Sequence, residues 1–427
     1  MAASTQSVSA ARIGGGADGA ARTPLTFGIG ALLAEALAFA VLLGVTGSPG
    51  WRAGRVALTL VVCAGAVGLE RRAACGVRGV SALGLGLAGL MTGAGIGVMH
   101  VVKSAVTVTA IAALGALAAG LLLACIGAGR LWQVTPGWWR LVSLPVAFLL
   151  LEFVVIPVTT AVYATNVPAS RLASVTPADR GLGYQDVTLV SSDGVRLSAW
   201  YVPSRNGAAV VVLHGSGSTR TAVLDEAVVV AQHGYGVLLL DARGHGRSGG
   251  TAMDFGWWGD RDIAAAVRWL QSRPEIRDGR IGALGLSMGG EEAIGAAATN
   301  NAIRAVVAEG ALWRGSMDTD WLPTDLPGYV QRGMLSVQTA VTGLLTDAPE
   351  PISLQRALDA TAPRQVLLIA DKPEIRGDRY LRDTAPGNVQ LWQLPDTPHV
   401  GGLSHHPAQW EARVITFLDR ALLSAPA

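Results

Sequence analysis

The chain has 427 residues, more than one domain of ordinary size needs, and 50% of them are hydrophobic against 15% charged, a balance unlike that of an average soluble protein. The formal net charge is +2, and no basic run or interleaved aromatic stripe occurs, so nucleic-acid binding is set aside. Before Arg171 the only acidic residues are Asp18, Glu35, Glu70 and Glu152, whereas charge is spread evenly after it, which predicts a membrane part followed by a soluble one.

Residues 1–24 are small and polar, include Gly14, Gly15 and Gly16, and read as a disordered tail. A transmembrane region of about five helices is expected over 25–165, from apolar stretches at 25–45, 56–69, 80–99, 106–126 and 141–163, near the roughly 20 residues that cross a bilayer except for the short second one. A succession of such stretches is not a cleaved signal peptide, and the abundant Gly and Ala suit close helix packing. With the N-terminus cytoplasmic, that side carries Arg12, Arg22, Arg71, Arg72, Arg78, Arg130 and Arg140, and the opposite side Arg52, Arg55 and Lys103. The bias and an odd number of crossings put the second half of the chain outside a cell membrane. Glu35 and Glu152 lie inside apolar stretches and read as protonated or interfacial carboxylates, with a transport or ligand path as the other reading. His100 reads as interfacial. Cys63, Cys75 and Cys125 all belong to the apolar half, so the second half holds no disulfide.

Residues 166–180, with Pro168 and Pro177, read as a linker. Beyond it, strands are expected at 186–190, 196–201, 208–213, 236–240, 280–284, 302–308, 365–369 and 389–394, with helices at 221–232, 261–272, 288–298 and 407–422. Short apolar strands alternating with amphipathic helices imply a mostly parallel sheet covered on both faces.

Gly285-Leu286-Ser287-Met288-Gly289 fits G-x-S-x-G, where small residues let a strand turn sharply into a helix and present a serine hydroxyl. Gly246-Arg247-Ser248-Gly249-Gly250 fits the same pattern, but Ser248 continues a glycine-rich turn with no helix behind it and reads as a loop serine. Among seven histidines, His399 is the first after the last strand and completes the Ser, acid, His order. His405 and His406 share its loop and read as helix-start residues, and His233 as a surface residue. No spacing of His, Cys and carboxylates resembles a metal site, and no cofactor is implied.

These motifs, in this order, resemble the α/β-hydrolase superfamily, in the group of bacterial esterases, dienelactone-hydrolase-like and serine aminopeptidase-like proteins. The resemblance covers about 182–423 and includes His214-Gly215-Ser216-Gly217 and Asp241-Ala242-Arg243-Gly244-His245-Gly246, each after a strand. It implies an α/β-hydrolase domain at 181–425 with a small cap insertion at about 310–362, preceded by the all-α membrane region. It also implies Ser287 as nucleophile, His399 as base, Glu374 as acid with Asp371 as alternative, and backbone donors at Ser216 and Met288 for the oxyanion. His214 and His245 are structural in similar proteins. Trp313, Met317, Trp321, Pro323, Pro327, Tyr329 and Met334 would wall an acyl pocket or pack the cap onto the sheet. Trp257 and Trp258 read as core packing.

The expected activity is hydrolysis of an ester or thioester on a small-molecule or lipid-associated acyl substrate, with membrane lipids as surroundings. An aminopeptidase or amidase would use the same groups, with Asp318, Asp320 or Asp325 receiving a free amine. A non-catalytic membrane binding or scaffold protein is the reading from another class.

Overall fold

The computed structural model describes residues 17–45, 49–103, 106–315, 317–385 and 387–424. The expected tail lies outside these residues up to position 16, and from Ala17 onward it is already helix. The first part of the chain contains α1 (Ala17–Val45), α2 (Pro49–Arg72), α3 (Cys75–Thr92), a π-helical turn leading to α4 (Met99–Lys103), α5 (Val108–Val134), α6 (Ser143–Leu150) and α7 (Ile156–Thr165). Among the described residues, four helical runs are long and apolar enough to cross a membrane: Arg52–Arg72, Cys75–Lys103, Val108–Val134 and Gly137–Thr165. Phe27–Leu43 is a shorter apolar helix, so the expected five stretches become four full-length candidates and this one.

The described chain divides into one unit of 17–97 with 111–144 and another of 98–110 with 145–424. In the first, α3 and α5 approach so closely that a Cβ on Gly86 would stand 2.3 Å from the Ala124 nitrogen, and one on Gly127 would stand 2.4 Å from the Leu83 nitrogen. Small residues permit so close a contact. Arg130 pairs with Glu70, two charges that would be costly alone in an apolar bundle.

The second unit holds an eight-stranded sheet: β1 (Gln185–Val190), β2 (Arg196–Val202), β3 (Ala209–Leu213), β4 (Gly236–Leu240), β5 (Ile281–Leu286), β6 (Ile303–Glu309), β7 (Gln365–Asp371) and β8 (Val389–Leu394). The spatial order is β1-β2-β4-β3-β5-β6-β7-β8. β1 and β2 pair antiparallel and the rest run parallel. β3 and β4 are buried along their whole length, as expected of continuous Val and Leu runs between two helical layers.

Of the helices that follow, α8 (Leu224–Gln232), α9 (Gly259–Gln271), α10 (Met288–Thr299), α11 (Leu326–Leu345), α12 (Leu354–Thr361), α13 (Ile375–Thr384), α14 (Gly402–His405) and α15 (Pro407–Leu418), two groups sandwich the sheet. Ile263, Ala293, Leu354 and Leu381, from α9, α10, α12 and α13, join one core, and Leu224 and Trp410, from α8 and α15, join the other. This is the α/β-hydrolase fold. The cap insertion contains α11 and α12, and α11 lies along α7 and the π-helical turn before it, where Phe153 stands 2.6 Å from where a Cβ on Gly333 would lie.

The stretch 166–180 is not a free linker. Val167 and Pro168 are buried, Ser170 Oγ donates to the Gly217 carbonyl at 2.7 Å, and the Gly246 N–H donates to the Ser170 carbonyl at 3.1 Å. An apolar pair and a hydroxyl at fixed spacing gave it partners that its prolines alone did not suggest.

Candidate active site

Ser287 ends β5 and precedes α10 with φ 54° and ψ −123°, a left-handed backbone for a residue with a side chain. The flanking glycines are steric requirements of this bend. A Cβ on Gly285 would lie 2.1 Å from the Gly289 carbonyl oxygen, and one on Gly289 would lie 2.6 Å from that of Leu213. The loop after β3 approaches equally closely, since a Cβ on Gly215 would stand 3.3 Å from Ser287 Cβ.

His399 stands in the loop after β8, followed by Val400 at φ 51°. Its Nε2 lies 3.0 Å from Ser287 Oγ, and its Nδ1 lies 2.8 Å from Glu374 Oε1. Glu374 immediately precedes α13 and is buried, whereas the imidazole is about half exposed. The Glu374 hydrogen bond raises the His399 pKa above its ordinary value, against the opposing effect of desolvation.

Asp371, at the end of β7, does not reach the imidazole. Its Oδ2 accepts the Val400 N–H at 2.6 Å. Burial, reinforced by neighbouring carboxylates, pushes its pKa up to about 7. Glu309, at the end of β6, holds the same loop from the other side, accepting from the Gly402 N–H at 2.7 Å and from Trp410 Nε1 at 2.9 Å. Two buried carboxylates thus brace the histidine loop. Asp371, Glu374 and His399 are near enough to share a cation, but these contacts already occupy one oxygen of each carboxylate.

His405 Nδ1 lies 3.0 Å from the Gly401 carbonyl, and His406 Nε2 lies 2.9 Å from Thr397 Oγ1, so both turn away from the serine into their own loop. His233 pairs with Glu411 at the surface. Ser248 Oγ donates to the Asp241 carbonyl at 2.6 Å and accepts from the Ser198 N–H at 2.9 Å, tying its turn to β2.

Met288 opens α10, where a backbone N–H has no acceptor within the helix. Ser216 lies in the loop after β3, and a buried set of groups fixes that loop. His214 Nε2 accepts the Ala242 N–H at 3.0 Å, which leaves the proton on Nδ1 to reach the Gly215 carbonyl at 2.8 Å. Burial lowers its pKa to about 3, so the ring stays neutral. Asp254 accepts the Gly217 N–H at 2.9 Å and lies 3.3 Å from His245 Nε2. Burial pushes the Asp254 carboxyl up, but the hydrogen bonds to it leave its pKa below the usual range. Asp254 and Glu309 carry no motif around them and were not anticipated from the sequence.

The cap begins beside the serine. Glu291, one turn after Ser287 on α10, accepts the Leu312 and Trp313 N–H groups at 3.2 and 2.9 Å, and burial raises its pKa to about 7. Trp313 packs edge-on against Phe255, and Trp321 donates to the Asp318 carbonyl at 3.0 Å. Trp257 is buried and donates to the Arg314 carbonyl, while Trp258 stacks under Arg243 and Arg261. Asp318 binds the Arg314 and Leu354 N–H groups at 2.8 and 2.7 Å, and Asp325 caps α11 through the Gly328 N–H at 3.0 Å.

The family model of the X-Pro dipeptidyl-peptidase (S15 family) matches residues 158–392. An uncharacterized protein of Mycobacterium tuberculosis is 35% identical over 133 residues, 30% of this chain and 45% of that protein. The alpha/beta hydrolase domain-containing protein WAV2 of Arabidopsis thaliana is 34% identical over 145 residues, 33% of this chain and 46% of WAV2. The chain spans about half the length of the curated relatives it matches. Among solved structures, the Pyrococcus furiosus esterase Pf2001 is similar with a TM-score of 0.49 and 27% identity, over 60% of this chain and 98% of that one.

Proposed function

The chain belongs to the X-Pro dipeptidyl-peptidase (S15) family, and we propose that this serine hydrolase is membrane-anchored and cleaves an ester or thioester through an acyl-enzyme. The carrying observation is the 3.0 Å approach of His399 Nε2 to Ser287 Oγ at a strained strand-to-helix bend. His399 takes the serine proton as the hydroxyl attacks the acyl carbon, and returns it to the leaving alcohol or thiol. Glu374 keeps the imidazole in the Nδ1–H tautomer and stabilises the imidazolium that forms. The Met288 and Ser216 N–H groups receive the charge developing on the carbonyl oxygen. Water then repeats the sequence on the acyl-enzyme. Trp313 and Trp321 line the acyl pocket from the cap.

The ester or thioester reading is preferred to an aminopeptidase because Asp318 and Asp325, two of the three acids available to hold a substrate ammonium, already serve backbone N–H groups. The hydrolase domain is assigned to the outer side of the membrane. Lys103, which the charge bias assigns to that side, contacts hydrolase residues within the same compact unit, in keeping with this sidedness.

Labelling with a fluorophosphonate probe tests the reading. Wild type should label, Ser287→Ala should not, and His399→Ala should label far more slowly. Undiminished labelling of Ser287→Ala would remove the nucleophile assignment. Turnover of matched esters, thioesters and aminoacyl amides then separates the substrate classes.

A further inference from the structure

Both backbone polar groups of Gly217, in the loop that carries Ser216, are held by side chains, one of them shortly after the last apolar span. Its carbonyl accepts Ser170 Oγ at 2.7 Å, and its N–H donates to Asp254 Oδ1 at 2.9 Å. Asp254 is fixed in turn by its own N–H, which donates to the carbonyl of Ala164 in the last turn of α7 at 2.9 Å. One residue earlier, the Tyr163 hydroxyl accepts a hydrogen bond from Lys103 Nζ at 2.5 Å. The other Asp254 oxygen, Oδ2, is buried with no hydrogen-bond partner among the described residues and lies 3.6 Å from where a Cβ on Gly217 would stand. Lys103 ends α4, and its ammonium stands 2.5 Å from where a Cβ on Gly217 would lie.

A buried carboxylate is tolerated only when partnered and hydrogen-bonded. Asp254 Oδ1 meets the Gly217 N–H and His245, and the ammonium, held by the phenol, stands beside the same glycine. We propose that Lys103 and Tyr163 are positioning residues for the oxyanion loop, so that the ends of two membrane-spanning runs set the turnover of the hydrolase. The proposal rests on the reading of Ser216 as an oxyanion donor. The membrane region is then part of the catalytic scaffold as well as an anchor. Oxyanion donors act only within narrow geometric limits, and a misplacement of about 1 Å can cost on the order of 100-fold in rate.

The test uses full-length protein in lipid nanodiscs with p-nitrophenyl butyrate as the probe ester. Tyr163→Phe and Lys103→Met should each lower kcat about tenfold with KM near wild type, because the loop acts on the transition state more than on substrate binding. Lys103→Arg should recover most of the loss. Amide hydrogen exchange over residues 214–218 should be faster in Tyr163→Phe and Lys103→Met, since Gly217 loses the fixed ammonium that packs against it. Wild-type kcat in both variants, or lost kcat with unchanged exchange at 214–218, overturns the proposal. If Ser287→Ala retains wild-type turnover, the hydrolase reading fails separately. The exchange measurement still decides whether Lys103 and Tyr163 hold the loop, with faster exchange supporting it and unchanged exchange overturning it.

Discussion

Glu374 and Asp371, three residues apart at the end of one strand, take different tasks: Glu374 Oε1 meets His399 Nδ1 at 2.8 Å, while Asp371 Oδ2 holds the Val400 N–H at 2.6 Å. The one orients the imidazole and the other shapes the loop that delivers it. β7 ends at Asp371, and the turn before α13 swings position 374 back toward the histidine.

Separation of these tasks is measurable. Glu374→Ala should lower kcat by about three to four orders of magnitude, the scale seen when a triad acid is removed. Asp371→Asn, which keeps an oxygen for the Val400 N–H, should retain kcat within about tenfold of wild type, the allowance left for a modest shift of the loop it braces. Equal losses in steady-state turnover would contradict the assignment of roles.

Asp371→Asn should also change how stability depends on pH. Burial raises the folded pKa of Asp371 from an ordinary 3.8 to about 7, so this carboxyl contributes stability below the unfolded value and loses it as pH rises through the folded one. Asparagine does not titrate. The Tm of Asp371→Asn relative to wild type should therefore be more favourable at pH 8 than at pH 4, and a Tm difference constant across that range would contradict the burial argument.

The histidine gives the opposite kind of profile, one in activity. Its pKa is raised by Glu374, and only the neutral ring can accept the serine proton, so kcat/KM should rise with pH through a value above the ordinary 6.5. In Glu374→Gln the rise should move to lower pH while its plateau falls. A rise at unchanged pH would mean that the hydrogen bond does not set the titration. The same bond contributes stability below the unfolded histidine pKa, a contribution lost as pH rises through the raised folded value.

Arg220 and Asp241 form a second buried system, remote in role from the chemistry. Asp241 accepts the Arg220 and Arg247 N–H groups, each at 2.9 Å, and faces Arg220 Nη1 at 3.4 Å. Both side chains are fully buried. Asp241→Ala leaves a buried guanidinium without its carboxylate and should cost about 3–5 kcal/mol in denaturant unfolding. An effect below about 1 kcal/mol, the range of a surface pair, would show the pair to be effectively solvated.

At the nucleophile bend, Gly285→Ala places a methyl 2.1 Å from the Gly289 carbonyl oxygen, a backbone atom that cannot rotate aside. Labelling by a fluorophosphonate should fall sharply, with a loss of stability of at least about 1–3 kcal/mol from overpacking. Wild-type labelling in a folded Gly285→Ala protein would mean that the bend tolerates a side chain there.

Most of the fold was legible because it rests on periodicity. Apolar runs such as Val210-Val211-Val212-Leu213 can be buried only as inner parallel strands, and all eight strands lie within two or three residues of where alternation predicted them. Ser287 and His399 were legible because glycine spacing and chain order mark them. The helix Ile375–Thr384 and the choice between Glu374 and Asp371 were not, since which acid faces the histidine depends on a turn three residues long. Nor were the roles of Glu309 and Asp254, each a single carboxylate that accepts N–H groups 37 to 101 residues away in the chain. Residues 166–180 read locally as a proline-bearing linker, and only packing made Ser170 a clamp on Gly217. Local pattern determines which elements form, because hydrophobic period and backbone sterics act over a few residues. Which side chain reaches which backbone group is decided only when the sheet brings distant strand ends together.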